Sequence, residues 1–206
     1  MLKRLTRIDA LTRPQHHYLR REDEVFYFVE YTARQGYSYG PGNQLITNFK
    51  CEVNHRGTPR WAFKVDAINL VGKGIAECMN PRALQGTTFV PVPPSKTRDD
   101  PAYDDRCAEA LRAASRFAGH AIDVRELVVQ EQSTPASHES EARLHAEDLV
   151  ANYRIDETLA EPLPTDIVVF DDVLTTGSHF KAMQHVLKAR FPDVAVRGLF
   201  IARRRI

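Results

Sequence analysis

The chain has 206 residues, with 28 lysines and arginines against 27 aspartates and glutamates and a formal net charge of +1. This is the size of one domain with a small appendage, and the near-zero charge gives no reason to expect nucleic acid or an anionic membrane as the main partner. No apolar run is long enough to span a bilayer, residues 1–5 lack the apolar core of a signal peptide, and the three scattered cysteines form no Cys-x-x-Cys pair, which argues against a zinc ribbon and for a reducing, cytoplasmic setting.

Residues 1–24 are polar and charged, with a short helix expected near residues 6–11 that Pro14 ends. Residues 25–31, Val-Phe-Tyr-Phe-Val-Glu-Tyr, predict a strand. A glycine-rich loop, residues 36–42, carries Tyr37 and Tyr39, and Asn43 is placed to cap a short helix bearing Leu45, Ile46 and Phe49. Residues 54–57 read as a turn. After Pro59 a long helical pattern puts Phe63, Ala67, Leu70, Val71, Ile75 and Cys78 on one face, with Trp61 packing at its start and Asn80-Pro81 at its end. Gly72 and Gly74 inside it point to close packing against another element or to a weak spot.

From Thr87 the pattern alternates. Residues 87–92 predict a strand. A helix follows, with Asp104 and Asp105 in its first turn, Cys107, Ala108, Leu111, Ala114, Phe117 and Ala118 on its apolar face and Gly119 at its C-cap. Residues 125–130 predict the next strand, and a long polar stretch, residues 133–164, interrupts the alternation. Then come an apolar strand from Asp166, a helix with Phe180, Met183 and Leu187 on one face, a stop at Phe191-Pro192, and a last strand over residues 194–202. Arg203, Arg204 and Arg205 are expected as a solvated basic end. This order predicts an α/β fold, a mostly parallel sheet with helices on its faces.

The chemistry concentrates in residues 166–180. An apolar run suited to burial on both faces is closed by Asp171 and Asp172, and a Thr-Thr-Gly-Ser turn leads into a helix. Free N–H groups of such a turn and helix start hold a phosphate dianion, and paired carboxylates at a strand's end accept hydrogen bonds from a ribose diol. The run Ile-Val-Val-Phe-Asp-Asp-Val-Leu-Thr-Thr-Gly-Ser, residues 167–178, resembles the phosphoribosyl-pyrophosphate (PRPP) signature of the type I phosphoribosyltransferases: four apolar residues, two acids, two variable residues, Thr, a small residue and Gly. His179 departs from it, standing where many members have Thr. The resemblance implies that Asp171 and Asp172 bind the ribose 2- and 3-hydroxyls. It also implies that Leu174, Thr175, Thr176, Gly177, Ser178 and His179 wrap the 5-phosphate.

A second stretch, Phe-Val-Pro-Val-Pro-Pro-Ser-Lys-Thr-Arg over residues 89–98, ends a strand in a proline-rigid turn with two cations. A leaving pyrophosphate needs cations and exposed N–H groups on a fixed backbone. The stretch resembles the pyrophosphate loop of the same family, closest to members related to the competence protein ComF. Pro93, Pro94, Ser95 and Lys96 would form the loop, with Lys96 and Arg98 against the leaving group. The zinc ribbon and the Arg-Gly-Phe-Asn-Gln segment of ComF-type proteins are absent, an acidic run at residues 99–106 standing in the place of the latter, so a link to DNA uptake does not carry over. In the family, the loop after the equivalent of residues 125–130 folds over substrate; here His138, Arg143 and His145 are the candidates for such a lid, against the plainer reading of exposed polar side chains. Tyr37 and Tyr39 could stack on a planar acceptor, or simply pack a surface loop.

The resemblance implies a Rossmann-like type I phosphoribosyltransferase core over residues 87–206 with residues 1–86 as an α/β extension or hood. It implies transfer of ribose 5-phosphate from PRPP-Mg²⁺ to an unidentified acceptor, with Mg²⁺ held by PRPP rather than by direct protein ligands. Two other readings use the same residues: a PRPP or nucleotide sensor without turnover, and a partner-controlled accessory protein in nucleic-acid metabolism. Oligomeric state and protein partners are left open.

Overall fold

In the computed structural model residues 2–134 and 146–205 are described. The strands are β1 Thr6–Arg7, β2 Val25–Thr32, β3 Thr88–Pro91, β4 Asp123–Val124, β5 Val128–Gln130, β6 Tyr153–Ile155, β7 Asp166–Leu174 and β8 Ala195–Arg205. The α-helices are α1 Pro41–Phe49, α2 Pro59–Cys78, α3 Pro81–Gly86, α4 Arg106–Ala118, α5 Ala146–Asn152 and α6 Ser178–Arg190. The main sheet has the order β1-β2-β8-β7-β3-β4, and only the β1–β2 pair is antiparallel. From β3 the chain moves outward to β4, whereas from β7 it moves the other way to β8. The order therefore reverses between β3 and β7, the place where open α/β sheets leave a crevice at their carboxyl edge.

Side chains alternate across this sheet and build a core on each face. Phe89, Val168, Phe170, Leu199 and Ile201 face α1, α2 and α4. Val90, Ile167, Val169, Val196 and Phe200 face α5 and α6, where Phe180, Met183 and Leu187 are fully buried. The continuous apolar run of β7 is thus explained by burial on both sides. Gly119 ends α4 in the left-handed conformation at φ 73°, as its position suggested.

Several expectations are corrected. Residues 6–11 form the short β1 and a turn rather than a helix, with the Asp9 carboxylate accepting the N–H groups of Leu11 and Thr12. Asn43 lies inside α1, not at its cap: its amide bonds the N–H and C=O of Thr32 and the C=O of Gln35, fastening the helix to the end of β2. Phe63 is 55% exposed, because α2 turns Lys64 inward at its first turns. The ladder beside β3 is β4, and it ends once Arg125 donates to the Phe89 carbonyl. Pro91, Pro93 and Pro94 have no N–H to extend it, and β5 pairs instead with β6 in a separate antiparallel ribbon. Arg203 is 6% exposed inside β8 and pairs with Glu30 and Gln15, so the basic end is strand rather than solvated tail. Within residues 1–86, β2 runs parallel to β8 in the main sheet, and α1 and α2 share the core of α4.

The close packing expected at Gly72 is present. A Cβ there would come within 2.5 Å of Ala113 Cβ and 2.8 Å of the Ala114 backbone nitrogen, whereas one at Gly74 would meet only the Leu2 side chain. Gly72→Ala should therefore lose about 2 kcal/mol in urea denaturation, overriding the roughly 1 kcal/mol that alanine gains in helix propensity. Gly74→Ala should cost less, since Leu2 can yield.

Candidate functional site

A cavity of about 720 Å³ opens at the carboxyl ends of β3 and β7, at the reversal point of the sheet. It is lined by the proline loop (residues 91–99), by Asp171 and Asp172 near the end of β7, by Thr175 and His179 beyond it, by the start of α4, and by Lys50, Glu52, Val53 and Asn54 after α1. Lys96 and Arg98 both reach it. Two separated sequence stretches singled out for their chemistry, the acid pair with its hydroxyl-rich turn and the cationic proline loop, thus border one space.

The two carboxylates differ. Asp172 is 5% exposed. Lys50 Nζ lies 2.9 Å from its Oδ1, and Arg106 approaches Oδ2 with Nη2 at 2.7 Å and Nε at 3.3 Å. Burial alone would raise its pKa, but Lys50 and then Arg106 outweigh that and hold it well below the usual range. Asp171 is half-buried and accepts the Asp172 N–H at 2.7 Å. Burial first, and the neighbouring Asp172 second, raise its pKa to about 7. Two adjacent acids therefore carry different charge at neutral pH, one firmly ionised and one poised.

The clamp on Asp172 continues. Arg106 Nη1 donates to Asp104 Oδ2 at 2.9 Å, Lys64 Nζ donates to that same oxygen at 2.6 Å, and Lys64 also donates to the Cys51 carbonyl at 2.6 Å. Since Lys50 begins the series and Cys51 ends it, the pairs close into a ring: Lys50, Asp172, Arg106, Asp104, Lys64, Cys51. Lys64 is 1% exposed, and burial, only partly offset by Asp104, lowers its pKa. None of Lys50, Lys64 or Arg106 carries a local signal in the sequence. The one available cue is that Lys64 interrupts the apolar face of α2.

The turn after β7 is held from behind by residues 16–19. His16 Nδ1 donates to the Thr175 carbonyl, and the Tyr18 N–H donates to the Thr176 carbonyl at 3.0 Å. In planar trans peptides the following N–H groups, of Thr176 and Gly177, then point the opposite way. Gly177 is needed twice over: its φ is +88°, and a Cβ would lie 3.0 Å from the Leu19 side chain. Thr176 and Ser178 are buried, Leu174 is 1% exposed in the core, and Thr175 and His179 are the turn residues on the cavity. His179 Nδ1 is 2.9 Å from the buried Tyr153 hydroxyl, and burial lowers its pKa to about 4. At neutral pH it is an uncharged imidazole, so it offers a hydrogen bond rather than a cation where the motif usually has a threonine.

The proline loop is also fixed. Gln130 Nε2 donates to the Pro94 carbonyl at 2.6 Å, the Thr134 N–H donates to the Ser95 carbonyl at 2.7 Å, and the Thr97 N–H donates to Ser133 Oγ at 3.0 Å. The insertion after β5 thus leaves from the proline loop, and through Tyr153 it returns beside the turn after β7. His138, Arg143 and His145 lie outside the described residues. Tyr37 and Tyr39 are 49% and 59% exposed and are not among the residues lining the cavity. They follow β2, two strands from β7, which puts them roughly 10 Å to the side on strand spacing alone. Among the described residues no group of three or more His, Cys, Asp or Glu side chains is placed to hold a metal ion. A scan against protein-family models finds no match for the chain, and a search of curated proteins finds no relative.

Lys64→Met keeps the helix and the volume but leaves the Cys51 carbonyl and one side of Asp104 without a donor. Removing one member of a buried pair costs about 3–5 kcal/mol. Because Asp104 retains Arg106, the loss in chemical denaturation should fall at the lower end, about 3 kcal/mol.

Proposed function

We propose that this protein binds PRPP-Mg²⁺ and transfers ribose 5-phosphate to an acceptor, releasing pyrophosphate. The observation that carries the proposal is the convergence on one cavity, at the sheet's reversal point, of an acid pair, of Thr175 and His179 flanking a glycine turn that enters a helix, and of a cationic proline loop. The phosphoribosyltransferase motif of residues 167–178 supports the same reading, and the α/β sheet with helices on both faces is compatible with that fold.

In this mechanism Asp171 accepts a hydroxyl of the ribose diol, and Asp172 joins it once its own lone pairs are within reach. The N–H groups of the Thr176–Gly177 turn, with Thr175 and His179, hold the 5-phosphate. Mg²⁺ would arrive on the ligand's phosphates and neutralise part of the leaving group's charge. Lys96 and Arg98 neutralise more of it, and the prolines keep the loop from reorganising as charge develops. Arg98 gives up its 3.4 Å contact with Glu126 to do so. No side chain is assigned as general base.

Calorimetric titration with PRPP-Mg²⁺, run beside a pyrophosphate-release assay on a panel of nucleobases and amines, tests the proposal. Saturable binding and release with at least one acceptor are expected, and Asp171→Asn should weaken binding by about tenfold, the value of one charge-assisted hydrogen bond. Binding without release on any acceptor would mark a sensor. A folded protein that does not bind PRPP would end the reading. Asp172→Asn is the poorer variant, since it strands Lys50 and Arg106.

The raised pKa of Asp171 sets a pH dependence. If the carboxylate form takes the diol, affinity falls as pH drops through about 7, approaching tenfold per unit below it. Asp171→Asn should flatten that slope, leaving only the ligand phosphate's own titration near 6. Stability runs in the opposite sense: between about 4 and 7 the folded protein keeps a proton that the unfolded chain releases, so this group's contribution declines as pH rises through that window. Asp171→Asn should accordingly raise the melting temperature at pH 8 relative to wild type.

A further inference from the structure

Asp172 faces the cavity but is not open to it. Arg106 uses two N–H groups on Oδ2, and Lys50 caps Oδ1. A sugar hydroxyl can reach this carboxylate only if one cation yields. Arg106 is the less able to move: it makes two bonds to Asp172 and a third to Asp104, with 24% of its side chain exposed. Lys50 makes one ion pair, its side chain is 34% exposed, and it lines the cavity. Its backbone cannot follow, because the Lys50 N–H bonds the Ile46 carbonyl at 2.9 Å and the next carbonyl, of Cys51, is held by buried Lys64. What can move is a flexible four-carbon stem with an ammonium at its end.

We infer that Lys50 is a specificity-determining latch: it caps Asp172 in the free protein, is displaced by the ribose diol, and swings within the cavity to the anionic group on the sugar's C1. The inference rests on the reading proposed above and adds selection between ligands that share a ribose 5-phosphate end. A ligand without an anion at C1 breaks the Lys50–Asp172 pair and offers the ammonium nothing in return. PRPP breaks the same pair and replaces it with a pyrophosphate oxygen, next to Lys96 of the proline loop. Lys50 belongs to the segment between α1 and α2, so a residue outside the acid motif and the proline loop would decide which phosphorylated sugar is retained.

The test is calorimetric titration of wild type, Lys50→Met and Lys50→Arg with PRPP-Mg²⁺ and with ribose 5-phosphate. Lys50→Met is expected to bind PRPP about tenfold more weakly, from loss of one charge-assisted contact, and to bind ribose 5-phosphate as well as wild type or better, because Asp172 is uncapped. Lys50→Arg should keep most of the preference for PRPP. Equal changes for both ligands in Lys50→Met, or no change for either, would overturn the latch while leaving the PRPP reading standing. Wild type that binds neither ligand would overturn both. If Lys50→Met does not fold, the Lys50 ammonium can be followed in wild type by ¹³C reductive methylation and NMR. A shift with PRPP that differs from that with ribose 5-phosphate is expected; identical shifts would overturn the latch.

Discussion

A carboxylate that is almost completely buried at the end of a central strand requires compensation, and most of the site's construction follows from that requirement. Asp172 is paired on both oxygens, and each partner is positioned by another element: Lys50 by the end of α1, Arg106 by the start of α4. Arg106 is steadied by Asp104, Asp104 by Lys64 on α2, and Lys64 by the carbonyl beside Lys50. Three cations and two carboxylates close on themselves, so moving any one member perturbs the others. The ring has one positive charge in excess beside a carboxyl that is only partly ionised at neutral pH. The cavity wall thus carries a pre-arranged positive field that needs no gathering of charge.

The parts of the molecule written in local sequence were legible. Residues 166–180 contain strand, acid pair, turn and helix start in one run, and Gly119 and Gly72 each answer to one steric demand. What the sequence concealed was non-local. Lys50, Lys64 and Arg106 look like ordinary polar residues of a helix end, a helix face and a helix start. Only the packing of α2 against α4 makes them one cluster. Arg203 was misread for the same reason: in sequence it belongs to a basic end, in space it lies across the Tyr27 ring, 5.4 Å from its centroid. For Tyr37 and Tyr39 the sequence left two readings open, a stacking platform and a packed surface loop. A tyrosine pair on a glycine-rich loop has the composition of a stacking platform, but strand order sets the loop to one side of the cavity.

Residues 1–86 and 87–206 share one sheet and one core. Residues 16–19 press on the back of the turn after β7, with a histidine, a backbone N–H and a leucine on three successive residues of it. Glycine at position 177 answers both to the turn's dihedral and to Leu19. The N-terminal quarter of the chain therefore shapes the turn from behind, while residues 50–54 form a wall of the cavity in front.

The pairing of β2 with β8 has a consequence for how the protein comes into being. β2 is made well before β8, which is its hydrogen-bonding neighbour on the inner side of the sheet. Until then the inner edge of β2 is unpaired, even though α1 and α2 can already cover one of its faces. Synthesis at about 5–20 residues per second leaves that edge open for roughly ten seconds or more. The sheet closes around its middle only when β8 takes its place between β2 and β7.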